Sequence, residues 1–278
     1  MSVPETVRPA RIAALLAERD PEAELYLEAL RFWGLVHQQI EAIHARSLAD
    51  FDVLLLLGEG RLDDVAADVV HDWWEAGGVL VVSGGTWGLE PALSVAPWPG
   101  SEHPSNDILI PEDDTAAYWP EGVPWIRFMG GAYAGELGCR VLARNSAGRP
   151  LVTEGKRAYL FGPHVGRTMS MMQLGTAVEC DGVGPNDGSA RLDDGVLRAE
   201  DGIVLSFDAD RVAIGDGAAF FGLPHADALK EAWLRLILHA VESAGLASVM
   251  LWPWRNNADA TAVLTTECEE FNPEHVDQ

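Results

Sequence analysis

The run at residues 78–88, GVLVVSGGTWG, limits what this chain can fold into more than any other. Val79, Leu80, Val81 and Val82 are apolar without alternation, the pattern of a strand covered on both faces, as in a parallel sheet. Gly84, Gly85 and Gly88 follow at once, so the strand ends in a tight turn whose backbone needs positions closed to other residues. Such a strand cannot stand alone. It needs neighbours of the same kind and helices on either side.

The rest of the first half supplies them. Residues 11–16 (RIAALL) and 52–57 (DVLLLL) read as two more buried strands, and 36–43 as a further one. Asp20-Pro21 opens a helical pattern carrying Leu25, Leu27, Leu30 and Trp33, which Gly34 ends. The clearest helix spans 61–76, with Leu62, Val65, Ala66, Val69, Val70, Trp73 and Trp74 at helical spacing. Asp63 and Asp64 complement its positive end and Gly77-Gly78 stops it. Strands and helices in alternation predict an α/β fold, a parallel sheet covered by helices.

Residues 89–135 break this rhythm. They hold seven prolines together with Trp98, Trp119 and Trp125, and read as a loop-rich insertion. From about 139 to 222 the pattern is of short strands and turns, with Asp-Gly hairpins predicted in DDGVLRAEDGIVLSF. A last helix is expected over 227–244. The tryptophans of the insertion read as a satellite core or as stacking platforms for sugar rings.

Composition narrows the function classes. The 278 residues carry a formal charge of −24, a field that repels phosphate backbones and anionic lipid, so nucleic-acid and membrane partners are set aside. Cys139, Cys180 and Cys268 stand far apart without a C-x-x-C pair, which predicts neither a zinc ribbon nor a disulfide framework. No cofactor is expected. The N-terminus lacks the form of a signal peptide and no apolar run approaches a membrane span, so a cytoplasmic protein is the default expectation.

Three segments together resemble the class I glutamine amidotransferase-like superfamily, in its trehalose-utilisation and β-galactosidase-associated branch: DVLLLLG at 52–58, AGGVLVV at 76–82 with GGTWG, and FFGLPHAD at 220–227. The resemblance implies a flavodoxin-like three-layer sandwich over residues 1–247, its central sheet mostly parallel with antiparallel hairpin additions in the second half. In that family a cysteine nucleophile stands at the centre of the G-x-C-x-G turn, and an H-x-E motif before the last helix completes a triad. Carried over, these roles fall on Thr86, His225 and Asp227, with Gly84, Gly85, Trp87 and Gly88 as the ligand-binding frame of the turn.

Thr86 changes the chemistry. A thiol titrates near ~8.5 and a histidine neighbour can hold it as thiolate, whereas a threonine hydroxyl is far less acidic. A β-branched residue also fits a strained elbow poorly, so Thr86 predicts a relaxed turn. The expected protein is therefore a catalytically degenerate amidotransferase-like domain, a binding, regulatory or assembly module linked to carbohydrate metabolism. It would take a small-molecule or carbohydrate ligand, and it would associate with copies of itself. The alternative is a hydrolase built on Thr86, His225 and Asp227. His164, in FGPHVG, is another candidate reactive histidine, but it has no carboxylate two residues on. Residues 248–278 resemble the opening of a polysaccharide-deacetylase-like domain. Glu267 and Glu269 would be its acidic residues, serving a metal only if the remaining ligands came from elsewhere.

Overall fold

The structure, a computed structural model, describes residues 7–97, 106–111, 118–132, 134–174, 211–213 and 219–251. The sequence opens with β1 (Ile12–Leu16), α1 (Glu24–Phe32), β2 (Gln38–Gln39), α2 (Ala45–Leu48), β3 (Val53–Leu57), α3 (Asp64–Glu75) and β4 (Val79–Ser83). After β4 come α4 (Glu90–Leu93), β5 (Val95–Pro97), β6 (Asp107–Leu109), β7 (Trp125–Arg127), β8 (Ala134–Glu136), β9 (Arg140–Arg144) and β10 (Pro150–Glu154). The described chain closes with β11 (Ala158–Phe161), α5 (Val165–Met169), β12 (Arg211–Ala213), β13 (Ala219–Phe221) and α6 (His225–Ser243).

Nine strands form one sheet in the order β2-β1-β3-β4-β11-β10-β9-β6-β7. The first five run parallel, and β10, β9, β6 and β7 add antiparallel strands beyond β11. Alternate residues of each parallel strand feed opposite cores. Val53, Leu55 and Leu57 face α1, α5 and α6 together with Tyr26, Val165 and Trp233. Leu54 and Leu56 face α2, α3 and α4 through Leu48, Val70, Trp74 and Leu93. This is the flavodoxin-like three-layer sandwich, and it explains why the central strands are apolar at every position.

Several expectations shift in detail. The strand expected over 36–43 shortens to the two residues of β2 at the sheet edge. The stretch 89–135 is not all loop: β6 and β7 lie within it and extend the sheet, while β5 pairs with β8 apart from it. Strands of three residues hold too few positions to show an alternation, which hides them among the prolines. Helix α6 starts at His225 with Pro224 as its cap, so Asp227 lies in the first turn. The expected hairpins at 190–207 and the deacetylase-like stretch from 252, with Glu267 and Glu269, lie outside the described residues.

Candidate functional site

The loops after β1, β3, β4 and β11 meet at the carboxyl edge of the parallel strands, where open α/β sheets place their ligands. The turn after β4 is fixed by its glycines. Gly84 has φ +82°, and a Cβ there would stand 2.7 Å from the Tyr26 hydroxyl and 3.2 Å from the Gly58 backbone. Its N–H donates to the carbonyl of Phe161 (3.0 Å), while that of Gly58 donates to Ser83 (2.9 Å), which stitches three strand ends together.

Besides Gly84 and Gly88, the turn has a positive backbone angle on Trp87, at φ +56°, and not on Thr86. A bulky side chain rarely adopts this conformation, and its neighbours must hold it there. They do: the indole is buried and its Nε1–H donates to the Gly58 carbonyl at 2.9 Å. The Thr86 hydroxyl donates to Glu90 Oε1 at 2.7 Å, tying the turn to α4. Thr86 itself has no positive φ, which suits its branched side chain.

His225 is buried at the start of α6, where its Nδ1 accepts the Arg127 N–H at 3.2 Å and its ring lies 5.0 Å from that of Trp125. Burial, aided by the Arg127 charge, pushes its pKa down to about 4. A neutral ring whose Nδ1 lone pair already accepts a backbone N–H is poorly placed to take a proton from a hydroxyl. Asp227 is exposed and holds Lys230 Nζ at 2.7 Å and Gln173 Nε2 at 2.8 Å. Partial burial would raise its pKa, but Lys230 and Gln173 outweigh it and keep the carboxyl below its ordinary range. Each of the three residues thus has hydrogen-bonding partners outside the trio.

Beneath the turn lies a polar knot that sequence reasoning missed. Asp20 and His164 are both buried, with Oδ2 and Nε2 2.6 Å apart. Asp20 also accepts the N–H groups of Glu59 (2.8 Å) and Glu22 (3.0 Å). Burial works against its charge, yet the Glu59 N–H and the His164 ring lead the contacts that hold it below the usual carboxylate range. His164 Nδ1 accepts the Arg167 N–H at 2.9 Å and caps α5, so the ring proton belongs on Nε2, directed at Asp20. Tyr26, fully buried, accepts the Val165 N–H at 3.0 Å, and Trp233 Nε1–H donates to Ser83 Oγ at 2.7 Å. Burial pushes the Tyr26 hydroxyl pKa far up, so it remains protonated.

Asp20, Glu22 and His164 bring ligand atoms within 4.8 Å of one another, the spacing of a metal site. Both His164 nitrogens are already committed, one to Asp20 and one to the α5 cap, so a metal would have to break the knot to bind.

Beside Trp87 the same edge opens into a crevice of about 340 Å³. Leu15 to Glu18 after β1, residues 41–43 after β2, and residues 60–63 with Ala66 at the start of α3 line it. Of the insertion's described tryptophans, neither Trp119 nor Trp125 lines this crevice. Trp119 is buried in the core, and Trp125 packs between His225 and the Arg127 guanidinium, 4.5 Å from its ring centre. Trp98 lies outside the described residues, as do Cys180 and Cys268, whereas Cys139 is a half-buried free thiol.

Among the described residues, no helix is long and apolar enough to cross a membrane. No protein-family model matches the chain, and no curated protein matches it. Solved structures do match over part of it. A ThuA-like protein from Bacteroides uniformis aligns at 11% identity and TM-score 0.43, over 59% of this chain and 85% of that one. A glutamine amidotransferase from Thermotoga maritima aligns at 13% identity and TM-score 0.43, over 58% of this chain and 79% of that one. The β-galactosidase of a Marinomonas species aligns over 89% of this chain but 31% of its own length, at 12% identity and TM-score 0.42. None of these likenesses assigns an activity.

Proposed function

We propose that this chain is a ligand-binding module on an amidotransferase-like scaffold, and that it does not hydrolyse glutamine. The observation that carries the reading is the Thr86 hydroxyl, which is spent on Glu90 at 2.7 Å inside a turn whose glycine frame is intact. The bond to the Glu90 carboxylate ties the turn to α4. It does not make a nucleophile, which needs a paired base that is itself oriented by a third group. What the frame does retain is a rigid wall, Trp87, on a crevice at the carboxyl edge of the sheet.

A glutaminase assay of the purified protein tests the reading. Ammonia release should stay at background and be the same in Thr86→Ala. Turnover that disappears in Thr86→Ala would contradict it. The carbohydrate link enters as a ligand class to be tried at the same crevice, with methyl β-glucoside as the probe.

A further inference from the structure

We infer that the crevice beside Trp87 binds a small organic ammonium ion, with its carbon skeleton against the apolar wall and its charge among the carboxylates of the rim. This rests on the binding reading above and names the ligand class of that site.

Topology comes first. The chain leaves β1 for β2 on one side and, after α2, returns to β3 on the other, so the connections diverge above β1. In sheets of this kind such a divergence opens a ligand crevice by construction. The space of about 340 Å³ is at the small end of the range for small-molecule pockets, so it suits a compact ligand. Leu15, Ile43, Leu62, Ala66 and the Trp87 indole give it an apolar wall. Carboxylates alone would mark only a solvated rim; the apolar residues that line the same crevice set this place apart from one.

The charges around the space select the ligand. Glu18, Glu41 and Asp63 line it against a single cation, Arg61. Among the described residues Glu18, Glu41 and Arg61 form no ion pair, so their charges are available. An anion would be drawn to the start of α3, where unpaired N–H groups and the helix dipole favour it. That position is filled: the Asp63 carboxylate accepts the Ala66 N–H at 2.7 Å, and Asp64 adds a second negative charge in the first turn. The overall charge of −24 acts in the same direction. Apart from Arg61, each of these terms favours an ammonium ion over a phosphate or a carboxylate.

Calorimetric titration of the whole chain with tyramine tests the inference, beside 4-hydroxyphenylacetate as matched anion and methyl β-glucoside as neutral sugar. Saturable tyramine binding is expected, with no binding of the anion. The double substitution Glu18→Gln, Glu41→Gln should weaken it at least about tenfold, and raised salt should weaken it several-fold, while the thermal midpoint stays unchanged. Failure of tyramine to bind, equal binding of the anion, or indifference to the double substitution would each overturn the inference. Binding of the glucoside in place of tyramine overturns the ammonium assignment but keeps the binding module. Glutaminase turnover overturns the module's proposed function and leaves the titration result standing.

Discussion

Two groups of polar residues in this fold differ in what surrounds them. Thr86, His225 and Asp227 are of the types that catalysis uses, yet each bonds outward: to Glu90, to the Arg127 backbone, and to Lys230 with Gln173. Asp20 and Tyr26 from one stretch of chain and His164 from another, 144 positions beyond Asp20, bond to one another's loops in a buried knot. The first group is conspicuous by residue type, the second by cost of burial. An unpaired charge in an interior costs several kcal/mol, so a buried Asp-His pair survives only with its partners complete. Stability should therefore depend on the second group far more than on the first.

The largest expected effect breaks the knot. Asp20→Ala leaves His164 Nε2–H and the Glu59 and Glu22 N–H groups unpaired, and should cost about 3–5 kcal/mol in urea denaturation. Asp227→Ala removes an exposed carboxylate and leaves Lys230 its bond to Gln173, so it should cost less than about 1 kcal/mol. Comparable losses in the two variants would erase the contrast drawn here.

His225 sharpens the comparison through pH. Its pKa is about 4 in the folded protein against 6.5 for an unburied histidine, so the unfolded chain binds the extra proton first. Stability should then fall as pH drops from about 6.5 towards 4, by at most roughly 3 kcal/mol. Asp20 and Asp227, whose pKa values are lowered, contribute stability that is lost only as pH falls further, below their ordinary value of 3.8. A series of denaturation midpoints from pH 7 down to about 2 separates the two windows. In His225→Phe the slope in the upper window should flatten.

Smaller effects follow for single hydrogen bonds. Tyr26→Phe strips the acceptor from the buried Val165 N–H and should cost about 1–3 kcal/mol. Thr86→Val keeps the branched shape and loses only the bond to Glu90, so about 0.5–1.5 kcal/mol is expected, measured in the same way.

The parallel half of the fold is legible because burial on both faces writes it into each residue. DVLLLL becomes β3, VLVV becomes most of β4, and the spacing of Val70 and Trp74 places α3 against them. β6 and β7 leave no comparable trace, since their three residues pair at the far edge among prolines. At the site, the glycine frame announces the turn, and Gly84 is indeed forced by the Tyr26 hydroxyl. Its strain on Trp87 is invisible, because that conformation is imposed by Gly58 from another strand. Asp20 reads as a helix opener beside Pro21, and its true partner, His164, lies 144 positions away. No local spacing rule reaches that far, and only the meeting of β1 and β11 loops over the sheet reveals it.

The most direct test of the central claim is intact-protein mass spectrometry after incubation with an electrophilic glutamine analogue. The account predicts an unchanged mass, because the Thr86 hydroxyl is held by Glu90. A single adduct mapped to Thr86 would contradict it.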